Sequence, residues 1–284
     1  MSANLNDNKN LDTHLISGLA PVGVAQKLKG TTFPFKYGDY YELIKLIKKK
    51  NIGIIKMEVC RSTDPNVKFL KKIRHLCDKK NIILIFDECT TGFRECLGGI
   101  HKKINVYPDI TILGKALGNG YAITAVLMKK KFGYNASKSF VSSTFWTERI
   151  GPTAALKTLE VMKKLNPWKK INFLGKKMMK IWRNVAKANN LKIKIFGIPS
   201  LAKFVFLENH DVYKTFFSQE FLKKNILATT SFYPSYSHNQ KLFTKYKSVL
   251  NTIFKKIKKY QKNNVTPANF LDDEISHTPF GRLN

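Results

Sequence analysis

Hydrophobic positions along the chain change period several times, and each change predicts an element. Residues 41–50 repeat at helical spacing and predict a short amphipathic helix. Residues 52–59 (IGIIKMEV) follow as an apolar run of strand length, the pattern of a strand covered on both faces. Asp64-Pro65 predicts the start of a second helix, with Asp64 as N-cap and Pro65 at the first helical position. Val67, Leu70, Ile73, Leu76 and Cys77 form its apolar stripe, and residues 81–87 (NIILIFD) form the next strand. Strand, helix and strand at this spacing make a βαβ unit, which implies a parallel sheet. Residues 109–113 (DITIL) and 123–128 (ITAVLM) predict two more strands.

After residue 148 the pattern turns helical. Residues 150–165 and 168–189 read as helices broken at Asn166-Pro167, because the residue before proline is pushed out of the helical region. Strands are predicted at 191–196, 202–207 and 226–230, and a last helix from about Asn239. That helix carries Tyr246, Val249, Leu250, Ile253, Phe254, Ile257 and Tyr260 on one stripe opposite lysines. The stripe fits either a membrane-surface helix or one covering a small C-terminal sheet, and its ordinary use is the second. The chain thus divides into a sheet-bearing part, 1–160, and a part, 161–284, with a long connecting helix and a small C-terminal α+β domain. The fold class is α/β, a mostly parallel central sheet with flanking helices. The longest apolar runs, such as residues 82–86, fall far short of the roughly 20 residues a membrane span needs. No secretory signal pattern is visible at the N-terminus, so a cytoplasmic location is expected.

Composition adds one complication. Lysine and arginine number 50 against 19 acidic residues, a net charge of +31, which raises nucleic acid as a partner. The lysines, however, are spread along helix faces, and no nucleic-acid-binding motif accompanies them, so neither a specific nucleic-acid site nor a membrane site is expected. Cys60, Cys77, Cys89 and Cys96 show neither C-x-x-C spacing nor a histidine at zinc-ligand spacing, and read as free thiols with no metal.

Two segments carry candidate chemistry. Residues 85–94 (IFDECTTGFR) run a buried strand into carboxylates at its C-terminal end, where open α/β sheets place ligands. Alternation turns Asp87 and Cys89 one way and Glu88 the other. Residues 108–120 (PDITILGKALGNG) bring Lys115 to the end of another strand, just before a glycine-rich turn. A lysine there, near a carboxylate, is a candidate Schiff-base amine.

Together these segments resemble the class III, fold-type I aminotransferases that use pyridoxal 5'-phosphate (PLP). Within that family the similarity is to the glutamate-1-semialdehyde 2,1-aminomutase branch. Residues 53–58 and 143–155 (STFWTERIGPTAA) extend the resemblance. It implies that Lys115 holds PLP as a Schiff base and moves a proton during amino transfer. Asp87 would pair with the pyridine nitrogen, and Cys89 would pack on the ring where the family has an apolar residue. Thr144 or Thr147 would contact the cofactor phosphate across a homodimer, Thr144 keeping the Thr-Phe pair and Thr147 the distance to Pro152. Glu58 is assigned either an orienting or a structural role. The implied substrate is a small amino or oxo acid or an aldehyde.

The family's phosphate-binding turn and ring-stacking aromatic precede the stretch matched here. The resemblance therefore implies an N-terminally truncated member: an enzyme whose remaining part comes from elsewhere, or an inactive remnant. A basic nucleic-acid or membrane module is the remaining alternative.

Overall fold

A computed structural model describes residues 27, 30–60, 63–141, 144, 147–263, 265 and 267–276. The first sheet comprises β1 (Ile54–Glu58), β2 (Ile83–Asp87), β3 (Ile110–Leu113) and β4 (Ala125–Met128), in that spatial order. β1, β2 and β3 are parallel, with Glu58 opposite Asp87 and Asp87 opposite Ile112. β4 returns antiparallel, pairing Ile112 with Val126. Ile55, Leu84 and Phe86 are buried from this sheet together with Phe69, Leu70, Ile73, Leu76 and Cys77 of helix α2 (Val67–Lys80).

α2 begins later than its sequence predicts. Asn66, not Asp64, is the N-cap, its side chain accepting from the Phe69 amide at 3.1 Å. Pro65 therefore lies before the helix rather than in its first turn. Helix α1 (Tyr40–Lys49) is capped in the same way by Asp39, which accepts from the Glu42 amide at 2.9 Å. α5 (Ile150–Leu165) and α6 (Pro167–Ala188) meet at Asn166, which takes a left-handed φ of 48° so that one residue ends the first helix and opens the second.

The outer edges of the first sheet stay open. Among the described residues no strand pairs with the free side of β1 or of β4. β4 was expected to be an apolar strand, and so it is by composition, yet Val126 and Leu127 are more than half exposed.

A second sheet, antiparallel throughout, contains β5 (Ile193–Phe196), β6 (Ala202–Phe206) and β7 (Ser231–Phe232). Residues 226–230, expected to be a strand, do not pair as one; the Thr230 carbonyl accepts from the Phe204 amide of β6, at 2.9 Å. α6, α7 (His210–Leu222) and α8 (Gln240–Lys262) pack on this sheet. The α8 stripe is spent there: Tyr246, Leu250, Ile253, Phe254 and Ile257 are buried, and Phe254 meets the rings of Phe204 and Phe206. A helix whose apolar face fills a core has none left for a membrane surface. Trp182 Nε1 donates to Tyr246 Oη at 2.8 Å, satisfying both polar atoms inside the aromatic cluster. No helix among the described residues is long and apolar enough to cross a membrane.

The two sheets are tied by the turn at Pro199–Leu201. Ile198 and Leu201 join the buried cluster under the first sheet, and Ser200 Oγ donates to the buried Glu95 Oε1 at 2.7 Å. On the other side of this turn, a Cβ at Gly175 of α6 would strike the Pro199 carbonyl. Glycine is what lets the helix approach so closely.

Candidate functional site

β2 and β3 are adjacent and parallel, so they deliver their C-terminal ends to one rim. Asp87 ends β2, and Lys115 lies three residues beyond Ile112, its partner on β3. The sequence reading of both positions rests on this register. Alternation separates the two acids as expected: Glu88 is fully buried, while the Asp87 side chain retains 26% exposure. Glu88 Oε1 accepts from the His101 amide at 2.9 Å and lies 3.2 Å from His101 Nδ1; its other oxygen is buried with no partner among the described residues. Glu88 therefore belongs to the interior beneath the rim.

Asp87 faces the rim but is engaged. Its Oδ2 lies 3.1 Å from Lys56 Nζ of β1, and its Oδ1 accepts from the Cys89 amide at 3.2 Å. Cys89 packs against Gly114, where an added Cβ would lie 2.8 Å from the sulfur. The residue before Lys115 must thus be small for the two strand ends to close.

After Asp87 the chain doubles back. The Gly92 amide donates to the Glu88 carbonyl at 2.7 Å, and a Cβ on Gly92 would sit 2.8 Å from that oxygen. Phe93 then adopts a left-handed φ of 61°. The reversal brings Arg94 over Thr90, whose carbonyl accepts from Arg94 Nε at 2.7 Å. Thr90 Oγ1 in turn accepts from Lys115 Nζ at 2.7 Å. One threonine therefore holds the lysine through its hydroxyl and the arginine through its backbone.

Lys115 itself has φ 47°. Among the described non-glycine residues with positive φ, all are asparagine except Phe93 and Lys115. Left-handed backbone costs a lysine more than an asparagine, so the two unusual residues of the fold both stand at this rim.

Arg94, Lys115, Asn119 and Tyr121 help line a cleft of about 470 Å³. A larger cavity of about 600 Å³ lies by β1, lined by Phe33, Tyr37, Lys56 and Cys60. Its size does not make it the site, since Lys115 does not line it and burial pushes the Cys60 thiol up to about 12, helped by the charges of Glu88 and Glu95.

Thr144 and Thr147 occupy exposed turns and are not among the residues lining the Lys115 cleft. Ser143, which opens the resembling segment, lies outside the described residues. Thr90, Arg94 and Lys56 were given no role by sequence reasoning. The first two stand inside the motif, but the left-handed turn at Phe93 that folds them onto Lys115 has no sequence signal, since phenylalanine rarely adopts it.

An amine and a carboxylate at the ends of adjacent strands would suit a carbonyl compound with a basic ring nitrogen, the amine toward the carbonyl and the acid toward the nitrogen. The close Gly114–Cys89 contact holds the two strand ends together.

Residues 62–224 match the family described as Aminotransferase class-III. The glutamate-1-semialdehyde 2,1-aminomutase of Wigglesworthia glossinidia brevipalpis is 30% identical over 279 residues, covering 88% of this chain and 64% of that protein. The 3-aminobutyryl-CoA aminotransferase of Cloacimonas acidaminovorans is 31% identical over 186 residues, covering 62% of this chain and 45% of that protein. In structure, the PLP internal aldimine form of the Sphingopyxis sp. MTA144 FumI protein superposes with a TM-score of 0.79 at 18% identity, over 87% of this chain and 62% of that one. The chain belongs to the class III aminotransferase family and has the fold of its PLP-dependent transaminases. It spans 45% to 64% of the length of the two curated relatives.

Proposed function

We propose that this chain carries the lysine-bearing part of a PLP-dependent aminotransferase or 2,1-aminomutase, acting on a small amino or oxo acid or an aldehyde. The observation that carries this reading is the Lys115 amine, seated on Thr90 at a strand end whose neighbour presents Asp87. When bound, PLP supplies an electron sink for the carbon that loses a proton. Lys115 Nζ would hold the cofactor and, when free, would carry a proton at the substrate Cα. Asp87 would hold the ring nitrogen, in competition with Lys56 for the same carboxylate. Cys89 would lie beside the ring. Thr144, with Thr147 as the alternative, contacts phosphate from the partner subunit of a homodimer. Residues 1–160 form part of the large cofactor domain, and residues 161–284 the connecting helix and small domain. A cytoplasmic location goes with this reading.

A second reading is a chain that folds but holds no cofactor, and the Lys56–Asp87 pair favours it. A single titration separates the two. Excess PLP is added, the visible absorption is followed, the adduct is fixed with borohydride and the labelled peptide is mapped. A band fixed on Lys115 supports the first reading; no band, or a label scattered over other lysines, overturns it.

A further inference from the structure

Arg94 is half-buried at the wall of the cleft that contains Lys115, and its guanidinium has no carboxylate partner among the described residues. Its Nε is spent on the Thr90 carbonyl at 2.7 Å. The carbon of the guanidinium lies 5.5 Å from the centre of the Tyr233 ring, contributed by the segment that follows β7. Asn172 of α6 fixes the backbone from behind, donating to the Arg94 carbonyl at 3.4 Å. One edge is thus anchored and one face approached by an aromatic ring, which leaves the two terminal nitrogens as a fork with no acceptor among the described residues. Two other charges of this kind are matched by opposite ones: Arg74 has Asp78 and Asp109, and Glu95 has Lys103. The cleft wall itself carries no acidic side chain, only Arg94 and Lys115 as charged groups.

From this arrangement we infer that Arg94 is the anchor for the carboxylate of the substrate, so that the substrate class is an amino or oxo acid rather than a simple amine or aldehyde. The inference rests on the reading of Lys115 given above. Arginine suits the task because its fork matches a carboxylate in two parallel hydrogen bonds and never loses its charge. Burial, the main influence on the group, disfavours the unpaired cation, and Tyr233 offsets this in part. An incoming carboxylate would relieve that cost. Thr90 makes the geometry stiff: it touches both the anchor and the amine that must meet the substrate.

The test compares wild type with Arg94→Gln and Arg94→Lys, each loaded with PLP and titrated with 4-aminobutanoate and with butan-1-amine, in which a methyl group replaces the carboxylate. Half-saturation is read from the change in the visible band. Arg94→Gln is expected to weaken 4-aminobutanoate about tenfold to a hundredfold and leave butan-1-amine unchanged, with Arg94→Lys between. Equal weakening of both amines overturns the assignment. So does a loss confined to PLP affinity, which would make Arg94 a contact for the cofactor phosphate. A calorimetric titration of glutarate into cofactor-free protein gives a readout independent of Lys115: wild type should bind it and Arg94→Gln should not. If no protein forms the Lys115 adduct, the reading of the lysine fails, and the glutarate titration alone decides for or against Arg94.

Discussion

Lys115 Nζ and Thr90 Oγ1, 25 residues apart in the chain, are joined by a 2.7 Å hydrogen bond. The amine is therefore held in one place rather than swinging on its four-carbon stem, and the cost of ordering it is met before any reaction. Thr90→Val keeps the shape and removes the acceptor. Borohydride-trappable PLP on Lys115 should form about fivefold to tenfold less readily in that variant, the worth of one ordinary hydrogen bond. Thr90→Ser should restore it. If Thr90→Val traps as fast as wild type, the seat is without consequence.

The left-handed backbone at Lys115 opposes stability in a position chosen for chemistry. Asparagine already fills seven of the described positions of this kind. Lys115→Asn should raise thermal stability by about 1 kcal/mol while abolishing the adduct, since Asn tolerates this conformation and lysine does not. Lys115→Ala should abolish the adduct without that gain. Thermal unfolding of the three proteins distinguishes relief of strain from the mere loss of a charge.

Asp109 is the best-satisfied acid in the first sheet. It is 4% exposed and accepts from Arg74 at 2.9 Å, Lys129 at 2.8 Å and the Leu84 amide at 2.9 Å. Burial works against its ionisation, but the Leu84 amide and the two cations outweigh it and hold the carboxyl at about 2, below the ordinary 3.8. A folded-state pKa below the unfolded one stabilises at pH above the unfolded value, and that stability drains away as pH falls through the folded value. Denaturation midpoints should therefore drop between about pH 4 and pH 2, with roughly 2 kcal/mol of the loss due to Asp109. Asp109→Ala, which leaves Arg74 without its buried partner, should cost about 3 kcal/mol at neutral pH and flatten this acid limb.

Gly175 tests how the second sheet is attached. A methyl group there would meet the Pro199 carbonyl, which is backbone and cannot rotate away. Gly175→Ala should destabilise the protein by about 1–3 kcal/mol, although alanine is the better helix former in isolation. Unchanged stability in urea would mean that α6 and the Pro199 turn yield easily.

The parallel strands and the long helices were legible because their signals are local. The apolar run of β2 and the stripe of α8 give their own periods, and Asn166-Pro167 breaks a helix by its own stereochemistry. Asp87 and Lys115 were legible at strand ends near one another, while the register that sets Asp87 opposite Ile112 was not among the expectations. The misplaced start of α2 shows the limit of that reasoning: Asp64 and Asn66 are both good caps, and the helix uses the second, whose side chain accepts from the Phe69 amide. Helix α7 carries a local signal of the same kind, with Tyr213, Phe216, Phe217 and Phe221 at helical spacing, yet it is not among the elements read from the sequence. Arg94 and Thr90 were in view within the motif and yet silent. Their meeting with Lys115 depends on a reversal at Phe93, which tertiary packing imposes against local preference.

The open margins of the four-stranded sheet set the colloidal behaviour of the protein. Two strand edges that no described strand covers, with Val126 and Leu127 exposed on one of them, form a template on which a second molecule can align. What opposes that encounter is the net charge of +31, which makes every approach repulsive. That repulsion reaches about 10 Å at 0.1 M salt and only about 3 Å at 1 M. Concentrated salt, usually a remedy for a basic protein that sticks to polyanions, would here remove the barrier to self-association.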